Sequence, residues 1–183
     1  MKIQDDVLAG LIEINSRVLD VGCGDGNLLL YLKKNKRIDG RGLEINQKNV
    51  QECLGKGLAV VEGDAEKDLI NYPNRSFDVA ILNQAIQQFY EPRRVLNELL
   101  RIAHKAIITI PNFGYWKVRL NLLLTGTMPV TKTLPHSWYD TPNLHMSSIK
   151  DFYNLCNLDN FKVIKSISIS CLLYTSDAAD DLL

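Results

Sequence analysis

The stretch Arg17–Gly26, which reads Arg-Val-Leu-Asp-Val-Gly-Cys-Gly-Asp-Gly, decides the fold of this chain. It begins with apolar, partly β-branched residues, which are typical of a strand buried on both faces. Glycines follow at alternate positions, and four leucines after them have the spacing of a helix that packs against a sheet. The glycines are Gly22, Gly24 and Gly26. A strand, a glycine turn and a helix in this order bring a ligand close to bare backbone, so the stretch predicts a binding site.

The spacing of the glycines and the acids beside them indicate the charge of that ligand. The pattern is Gly-x-Gly-x-Gly behind Asp20, whereas dinucleotide enzymes have Gly-x-Gly-x-x-Gly. Asp20 and Asp25 flank the turn and would repel a pyrophosphate, but they suit an amino group or a sulfonium. The pattern therefore disfavours a nicotinamide-dependent oxidoreductase. A glycine-rich turn that binds no ligand is the alternative.

Composition limits the class of protein. At 183 residues, 46% hydrophobic and 23% charged, the chain is long enough for one domain with a substantial core. Lysine plus arginine equals aspartate plus glutamate, at 21 each, so no net field argues for nucleic acid or a membrane surface. No signal peptide opens the chain, and no apolar run approaches the ~20 residues that span a bilayer. These observations predict a cytoplasmic protein without a membrane or nucleic-acid partner.

The four cysteines are scattered along the chain and form no Cys-x-x-Cys pair. This pattern predicts neither a metal site nor a redox motif, and it fits a reduced compartment. Cys23 lies inside the glycine turn, where we interpret it as a small filler beside the ligand rather than as a nucleophile.

Strands and helices alternate along the rest of the chain. We predict strands over 18–21, 41–45, 58–61, 77–82, 106–110 and 161–169, and helices over 7–12, 28–32, 47–55, 92–102, 116–124 and 147–158. Such alternation predicts an α/β, Rossmann-like, doubly wound and mostly parallel sheet. The helix over 7–12 is expected to cover the sheet edge near the ligand, and Ser147 or Ser148 to cap the last helix.

Two residues stand where ligands bind in such sheets, at the ends of strands. Glu44 follows Gly22 by 22 positions, close to the offset of about 20 at which a carboxylate meets ribose hydroxyls. A surface glutamate at a strand end is the alternative. Asn83 follows the fourth strand among several glutamines, which supply amides but no evident acid or base.

Residues 125–146 contain three prolines and several aromatic residues with almost no periodicity. A loop of this length inside a compact domain is typical of a functional lid or a partner-binding segment. Tyr139, Asp140, Asn143 and His145 are candidates for the site by position. Of these, Tyr139, Asp140 and His145 are the candidates for a catalytic role. His145 fits a catalytic base and a hydrogen bond that orders the loop equally well.

The glycine turn resembles motif I of class I S-adenosylmethionine-dependent methyltransferases. In combination, the segments 17–26, 110–119, 128–132 and 138–145 resemble the MetW family of methionine-biosynthesis proteins. The resemblance covers roughly residues 1–169. Motif I is shared by many methyltransferases, whereas the segments after the fifth strand are much more specific.

The resemblance implies a bacterial, cytosolic protein that is tied to methionine synthesis and associated with MetX, the homoserine O-acyltransferase. It also implies that S-adenosylmethionine binds at the turn, with Asp64 accepting a bond from the adenine amino group and Ala65 supplying backbone. Asp64 as a turn or helix-cap residue is the alternative. The predicted cofactor-binding set is Asp20, Gly22, Cys23, Gly24, Gly26, Glu44, Ile45, Asp64, Ala65 and Asn83. The resemblance does not identify a methyl acceptor.

Residues 171–183 resemble a translated sequencing adapter and are excluded from the fold. We therefore predict a methyltransferase-like domain over 1–170 and a non-native tail over 171–183. The fold that the chain resembles closes with an antiparallel strand, for which we find no segment. The tail is expected to pack poorly and to leave one sheet edge open.

Two functions are compatible with these residues and with the resemblance. The chain binds S-adenosylmethionine and assists or regulates MetX, or it is a working methyltransferase on a small molecule. The missing base does not decide between them, because methyl transfer from a sulfonium needs alignment more than acid–base help.

Overall fold

The computed structural model describes residues 3–131 and 135–169 and the backbone of 174–175. Its helices are α1 (Ile3–Gly10), α2 (Asn27–Lys36), α3 (Gln47–Gly55), α4 (Ala65–Asp68), α5 (Pro92–Ile102), α6 (Trp116–Thr125) and α7 (Ile149–Leu158). Its strands are β1 (Arg17–Val21), β2 (Asp39–Glu44), β3 (Ala59–Glu62), β4 (Phe77–Asn83), β5 (Ala103–Thr109), β6 (Ser168–Ile169) and β7 (Tyr174–Thr175). Short 3-10 turns cover Leu69–Asn71 and Ile86–Gln88.

Within the described residues, β1 to β5 form one parallel sheet in the order β3-β2-β1-β4-β5. The chain moves outward from β1 to β3 and then returns to the other side of β1 with β4. This reversal between β1 and β4 is the position at which open α/β sheets bind ligands, beyond the carboxyl ends of the strands. The predicted parallel, doubly wound sheet is confirmed.

Alternate residues of the central strands enter two different cores. Val18 of β1 and Val79 of β4 pack with helices α1, α2 and α3 on one face of the sheet. Leu19 and Ala80 pack with α5 and the turn after α4 on the other face. All four side chains are fully buried, which explains the nearly continuous apolar sequence of these two strands.

The predicted strand over 161–169 is wrong over most of its length. Residues 161–167 have no regular structure, and only Ser168–Ile169 forms a strand, paired antiparallel with Tyr174–Thr175 in a small separate sheet. Alternating apolar residues predict which side of a strand is buried. A strand also needs a neighbouring strand to hydrogen-bond its backbone N–H and C=O groups, and the alternation does not predict that neighbour. The predicted poor packing of 171–183 falls almost entirely outside the described residues, so it stays a prediction.

The last helix begins with a reciprocal cap. The Ser148 side chain accepts from the backbone N–H of Asp151, whose carboxylate accepts in return from the backbone N–H of Ser148. Ser148 is therefore the cap, and Ser147 is not.

We expect Ser148→Ala to lower the free energy of unfolding by about 1 kcal/mol, because the cap hydrogen bond is lost. Ser147→Ala is the matched control and should leave the stability unchanged. Urea unfolding of both variants measures the difference. Equal losses would show that the cap contributes no more than its neighbour.

Candidate functional site

The glycine turn after β1 has three residues in the left-handed region, Gly22 at φ +68°, Gly24 at φ +56° and Gly26 at φ +77°. The backbone N–H of Gly22 donates to the carbonyl of Leu43 at 2.8 Å, which ties the turn to the end of β2. A Cβ added at Gly24 would meet no described heavy atom within 4 Å. The turn therefore presents bare backbone to open space, and glycine is required by its conformation rather than by crowding.

The other two glycines of the turn have neighbours. A Cβ at Gly22 would lie 3.3 Å from the Cβ of Ala85, which comes from the loop after β4. A Cβ at Gly26 would lie 2.6 Å from Leu58 Cδ1 and 2.7 Å from Cys53 Sγ. Gly26 thus lets α2 begin close against α3 and against Leu58, which precedes β3. Close packing therefore explains why residue 26 is a glycine, and a role for Gly26 in ligand binding stays a prediction.

Glu44 at the end of β2 holds the turn from the other side. Its carboxylate is buried, and one oxygen accepts from the Gly24 N–H at 2.8 Å while the other accepts from the Asn46 N–H at 2.8 Å. A carboxylate has about four acceptor positions, so two remain for a ligand's hydroxyl groups. Glu44 is therefore not a free surface glutamate.

We expect Glu44→Ala to weaken binding of a ribose-bearing ligand by about 1–3 kcal/mol, because charge-assisted hydrogen bonds are lost. The structure adds a loss of stability, since two backbone N–H groups lose their acceptor. Calorimetry with S-adenosylmethionine measures the first effect and urea unfolding the second. Unchanged affinity would remove Glu44 from the site.

Asp20 is the most unusual ionisable group of the turn. Its side chain is 1% exposed, and its Oδ1 has no hydrogen-bond partner among the described residues. Burial, and then the charge of Glu44, raises the pKa of Asp20 to about 7. An unpaired buried carboxylate is costly by itself and would be stabilised by a cationic or hydrogen-bond-donating ligand nearby.

Cys23 lies beneath the turn, as its predicted role of filler requires. It is buried, and burial raises the pKa of its thiol, so the thiol stays protonated and unreactive. The neighbouring Cys53 donates from its thiol to the Gly24 carbonyl at 3.3 Å.

Asp25, the second acid that flanks the turn, lies in a different environment from Asp20, and its predicted effect on a ligand stays a prediction. It is accessible to solvent and accepts from the backbone N–H and the side-chain amide of Asn27, with Lys56 Nζ 3.6 Å from its carboxylate. Lys56 also donates to the Asn27 side chain at 3.0 Å. The positive charge of Lys56 offsets the negative charge of Asp25. The two acids near the turn that are buried are Asp20 and Glu44.

Three further predicted residues follow β2 and β3. Ile45 leaves 68% of its side chain exposed directly after Glu44, which is apolar surface available to a flat ring. Asp64 caps α4 by accepting from the Glu66 N–H at 3.0 Å, and Ala65 is the first residue of that helix. The hydrogen bond from Lys67, at 2.9 Å, is the main reason that the pKa of Asp64 is lowered. The helix-cap role is therefore present, and an adenine role for Asp64 stays a prediction.

Asn83 ends β4 at the same edge of the sheet. Its side-chain oxygen accepts from Gln4 Nε2 at 2.7 Å and from the Thr109 hydroxyl at 2.6 Å. Helix α1 therefore reaches the carboxyl edge through Gln4, while the predicted covering of the edge by residues 7–12 stays a prediction. The next residue, Gln84, has φ +54°, a strained conformation for a residue other than glycine and one that recurs at functional sites.

Sequence reasoning missed Gln4 and Ala85 in this region, and it placed Gln87 at the end of the fourth strand without its contacts. Gln87 is buried, and its carbonyl accepts from the backbone N–H groups of Leu144 and His145 at 2.8 and 3.0 Å. These bonds attach the aromatic loop to the segment beside Gly22. No local pattern signals such contacts, because the partners lie about 60 positions apart along the chain.

The candidates for a catalytic role, Tyr139, Asp140 and His145, are all exposed. Tyr139 packs edge-on against Trp138, and the backbone N–H of Asp140 donates to the Ser137 carbonyl in a turn. The backbone N–H of His145 donates to the carbonyl of Gln87, which keeps His145 close to the loop after β4. Within the described part of the chain, no hydrogen bond joins these three side chains into an acid–base constellation.

The described residues contain no group of three histidine, cysteine, aspartate or glutamate side chains that could hold a metal ion. In the same residues, no helix has the length and apolar character needed to cross a membrane.

Comparison with solved structures shows the fold. A chain of the complex between the Haloferax volcanii Trm112 methyltransferase activator and a methyltransferase aligns with a TM-score of 0.69 at 19% identity, covering 97% of this chain and 76% of that one. A SAM-dependent methyltransferase from Aquifex aeolicus aligns with a TM-score of 0.65 at 19% identity, covering 91% of this chain and 84% of that one. The chain therefore has the class I methyltransferase fold.

Comparison with curated sequences shows the family. The bifunctional methionine biosynthesis protein MetXA/MetW of Rhodopirellula baltica is 30% identical over 164 residues, which cover 85% of this chain and 26% of that protein. The chain spans only a quarter to a third of the curated relatives that it matches. The family described as methionine biosynthesis protein MetW matches residues 4–178. The chain therefore belongs to the MetW family of methionine biosynthesis proteins.

Proposed function

We propose that this chain binds S-adenosylmethionine at the glycine turn and acts with the homoserine O-acyltransferase MetX in methionine synthesis. The observation that carries the first half is the open backbone at Gly24 between two buried carboxylates, Asp20 and Glu44. Bare backbone admits a ligand closely, and the acids favour a ligand with positive charge and hydroxyl groups.

Each part of S-adenosylmethionine has a residue suited to it. Glu44 retains acceptor positions for the ribose hydroxyls, and the exposed side chain of Ile45 offers apolar surface to the adenine ring. The unpaired Oδ1 of Asp20 suits the neighbourhood of the amino group. Asp64, Ala65 and Asn83 complete the edge of the sheet at which the ligand is proposed to bind. When bound, this group supplies an activated methyl on a sulfonium.

The proposal that the chain acts with MetX is supported by a relative in which the two proteins are fused. In the Rhodopirellula baltica protein, a MetW-type region and MetXA are parts of one bifunctional protein. Fusion keeps two activities together that separate chains would combine by association. We propose that this chain achieves the same combination by binding MetX, and that S-adenosylmethionine regulates the complex.

The alternative is a working methyltransferase on a small molecule. It is favoured by the attachment of His145 at Gln87, which brings a titratable residue to the loop that borders Gly22. Methyl transfer needs correct alignment of donor and acceptor, which a cleft beside the turn could provide without a strong base.

Two measurements separate these functions. Calorimetry with S-adenosylmethionine, S-adenosylhomocysteine and NAD should show binding of the first two and none of NAD. MetX activity is then titrated with this chain, with and without S-adenosylmethionine. A change in MetX activity that depends on the chain supports the accessory function. Transfer of a radiolabelled methyl group to a small acceptor without MetX would support the methyltransferase instead.

A further inference from the structure

Helix α6 is apolar but largely uncovered. Within the described residues, Val118 is its only buried side chain. The exposed apolar residues of the helix are Trp116, Leu120, Leu122, Leu123 and Leu124. Leu123 is 80% exposed, so this surface is too apolar to be an ordinary solvated helix face.

The aromatic loop extends this surface. Met128 and Pro129, just after α6, line one cleft together with Trp138 and Met146. Trp138 and Tyr139 pack edge-on and leave 72% and 76% of their side chains exposed. We call helix α6 together with residues 135–146 the apolar surface. A large aromatic pair beside a cleft is the kind of feature that anchors a protein interface.

The charged side chains of α6 are both basic, and Asp140 is the one carboxylate of the apolar surface. Lys117 and Arg119 are exposed on α6, and residues 111–139 contain no aspartate or glutamate. The complementary partner therefore carries an apolar patch bordered by carboxylates.

The apolar surface is connected to the glycine turn. The backbone N–H groups of two of its residues, Leu144 and His145, donate to the carbonyl of Gln87. The same short loop carries Ala85, which lies against Gly22. A ligand at the turn and a partner on the apolar surface would thus both act on the loop 84–88.

We propose that the apolar surface is the docking site for the acyltransferase, whose matching face is apolar with a carboxylate border, and that the loop 84–88 couples docking to S-adenosylmethionine. This inference rests on the proposed function and adds to it where the partner binds and how the ligand influences it. Coupling of this kind is reciprocal, so each ligand changes the affinity of the other by the same factor.

Two other occupants fit less well. A second copy of this chain that packed α6 against α6 about a two-fold axis would bring Lys117 and Arg119 close to the same cations. A lipid surface favours a helix with one apolar and one strongly charged face, whereas the exposed leucines of α6 occupy consecutive positions 122–124 around the helix.

The test uses the full chain and purified MetX, with binding measured by calorimetry or surface plasmon resonance. Leu123→Ser and Trp138→Ala remove exposed anchors, and each is expected to weaken MetX binding by about tenfold or more. Leu158→Ser and Ile164→Ser are matched controls, since these side chains are 69% and 79% exposed outside the apolar surface. All four variants should keep the wild-type Tm and the wild-type affinity for S-adenosylmethionine in the absence of MetX.

Unchanged MetX binding by both Leu123→Ser and Trp138→Ala would overturn the docking site while leaving the proposed function intact. Failure of the wild-type chain to bind MetX at all would instead contradict the proposed function. Self-association of the wild type that Leu123→Ser abolishes, or flotation with phosphatidylserine vesicles, would assign the apolar surface to another occupant. For the coupling, the ratio of MetX affinities with and without S-adenosylmethionine should equal the ratio of S-adenosylmethionine affinities with and without MetX. A ratio of one in both directions would overturn the role of the loop 84–88.

Discussion

Gly24→Ala is expected to weaken S-adenosylmethionine binding by about a hundredfold or more, which corresponds to about 3 kcal/mol. The added Cβ meets no described protein atom within 4 Å, so it projects into the space that the ligand is proposed to occupy. The backbone N–H of Gly24 also donates to Glu44, and a shift of the turn would disturb that carboxylate. Calorimetry with S-adenosylmethionine and S-adenosylhomocysteine measures the loss.

The control for Gly24→Ala is Gly57→Ala. Gly57 has φ +71° and, like Gly24, no described heavy atom within 4 Å of an added Cβ. Both substitutions place alanine in the left-handed region and should cost about 1–2 kcal/mol of stability. Only Gly24→Ala should change ligand affinity. Equal affinities of the two variants would mean that the open space above Gly24 is not the binding site.

Asp20→Asn is expected to change the pH dependence of stability. The pKa of Asp20 is raised to about 7 in the folded protein from an ordinary value of 3.8, so the folded state holds this proton more tightly than the unfolded state. Stability is therefore full at low pH and falls as the pH rises from about 4 to about 7, by at most about 1.4 kcal/mol per pH unit. Asp20→Asn removes this decline and should raise the stability at pH 8 by up to about 4 kcal/mol.

Ligand binding should respond to pH in the opposite sense. A cationic ligand favours the ionised form of Asp20, so S-adenosylmethionine should bind more tightly as the pH rises through about 7. Asp20→Asn should lose this rise in affinity. Urea unfolding and calorimetry at pH 5, 6, 7 and 8 measure both trends. Asp39→Asn, at an exposed carboxylate on β2, is the control and should keep the wild-type pH profiles. Identical profiles for Asp20→Asn and wild type would exclude Asp20 as the titrating group.

Local patterns were sufficient for the central sheet. Continuous apolar runs predicted β1 and β4, and alternate glycines predicted the turn, because each pattern reflects a requirement of a few adjacent residues. The placement of Glu44 at the end of β2 followed from its distance to Gly22 along the chain. The prediction of a strand over 161–169 was wrong over most of that range. A strand forms only where a second strand pairs with it, and adjacent residues do not specify that pairing.

The sequence by itself determined the fold, the glycine turn and the family, because these depend on short-range spacing that a single chain displays. The tertiary structure alone decided which acids at the turn are buried and which has a cation beside it. Lys56 offsets Asp25, while burial isolates Asp20 without a partner for its Oδ1 among the described residues. It also decided that the aromatic loop is attached at Gln87, two residues after Ala85, which faces Gly22. Charge compensation, burial and long-range backbone hydrogen bonds depend on distances in space, and residues far apart in sequence acquire those distances only when the chain folds.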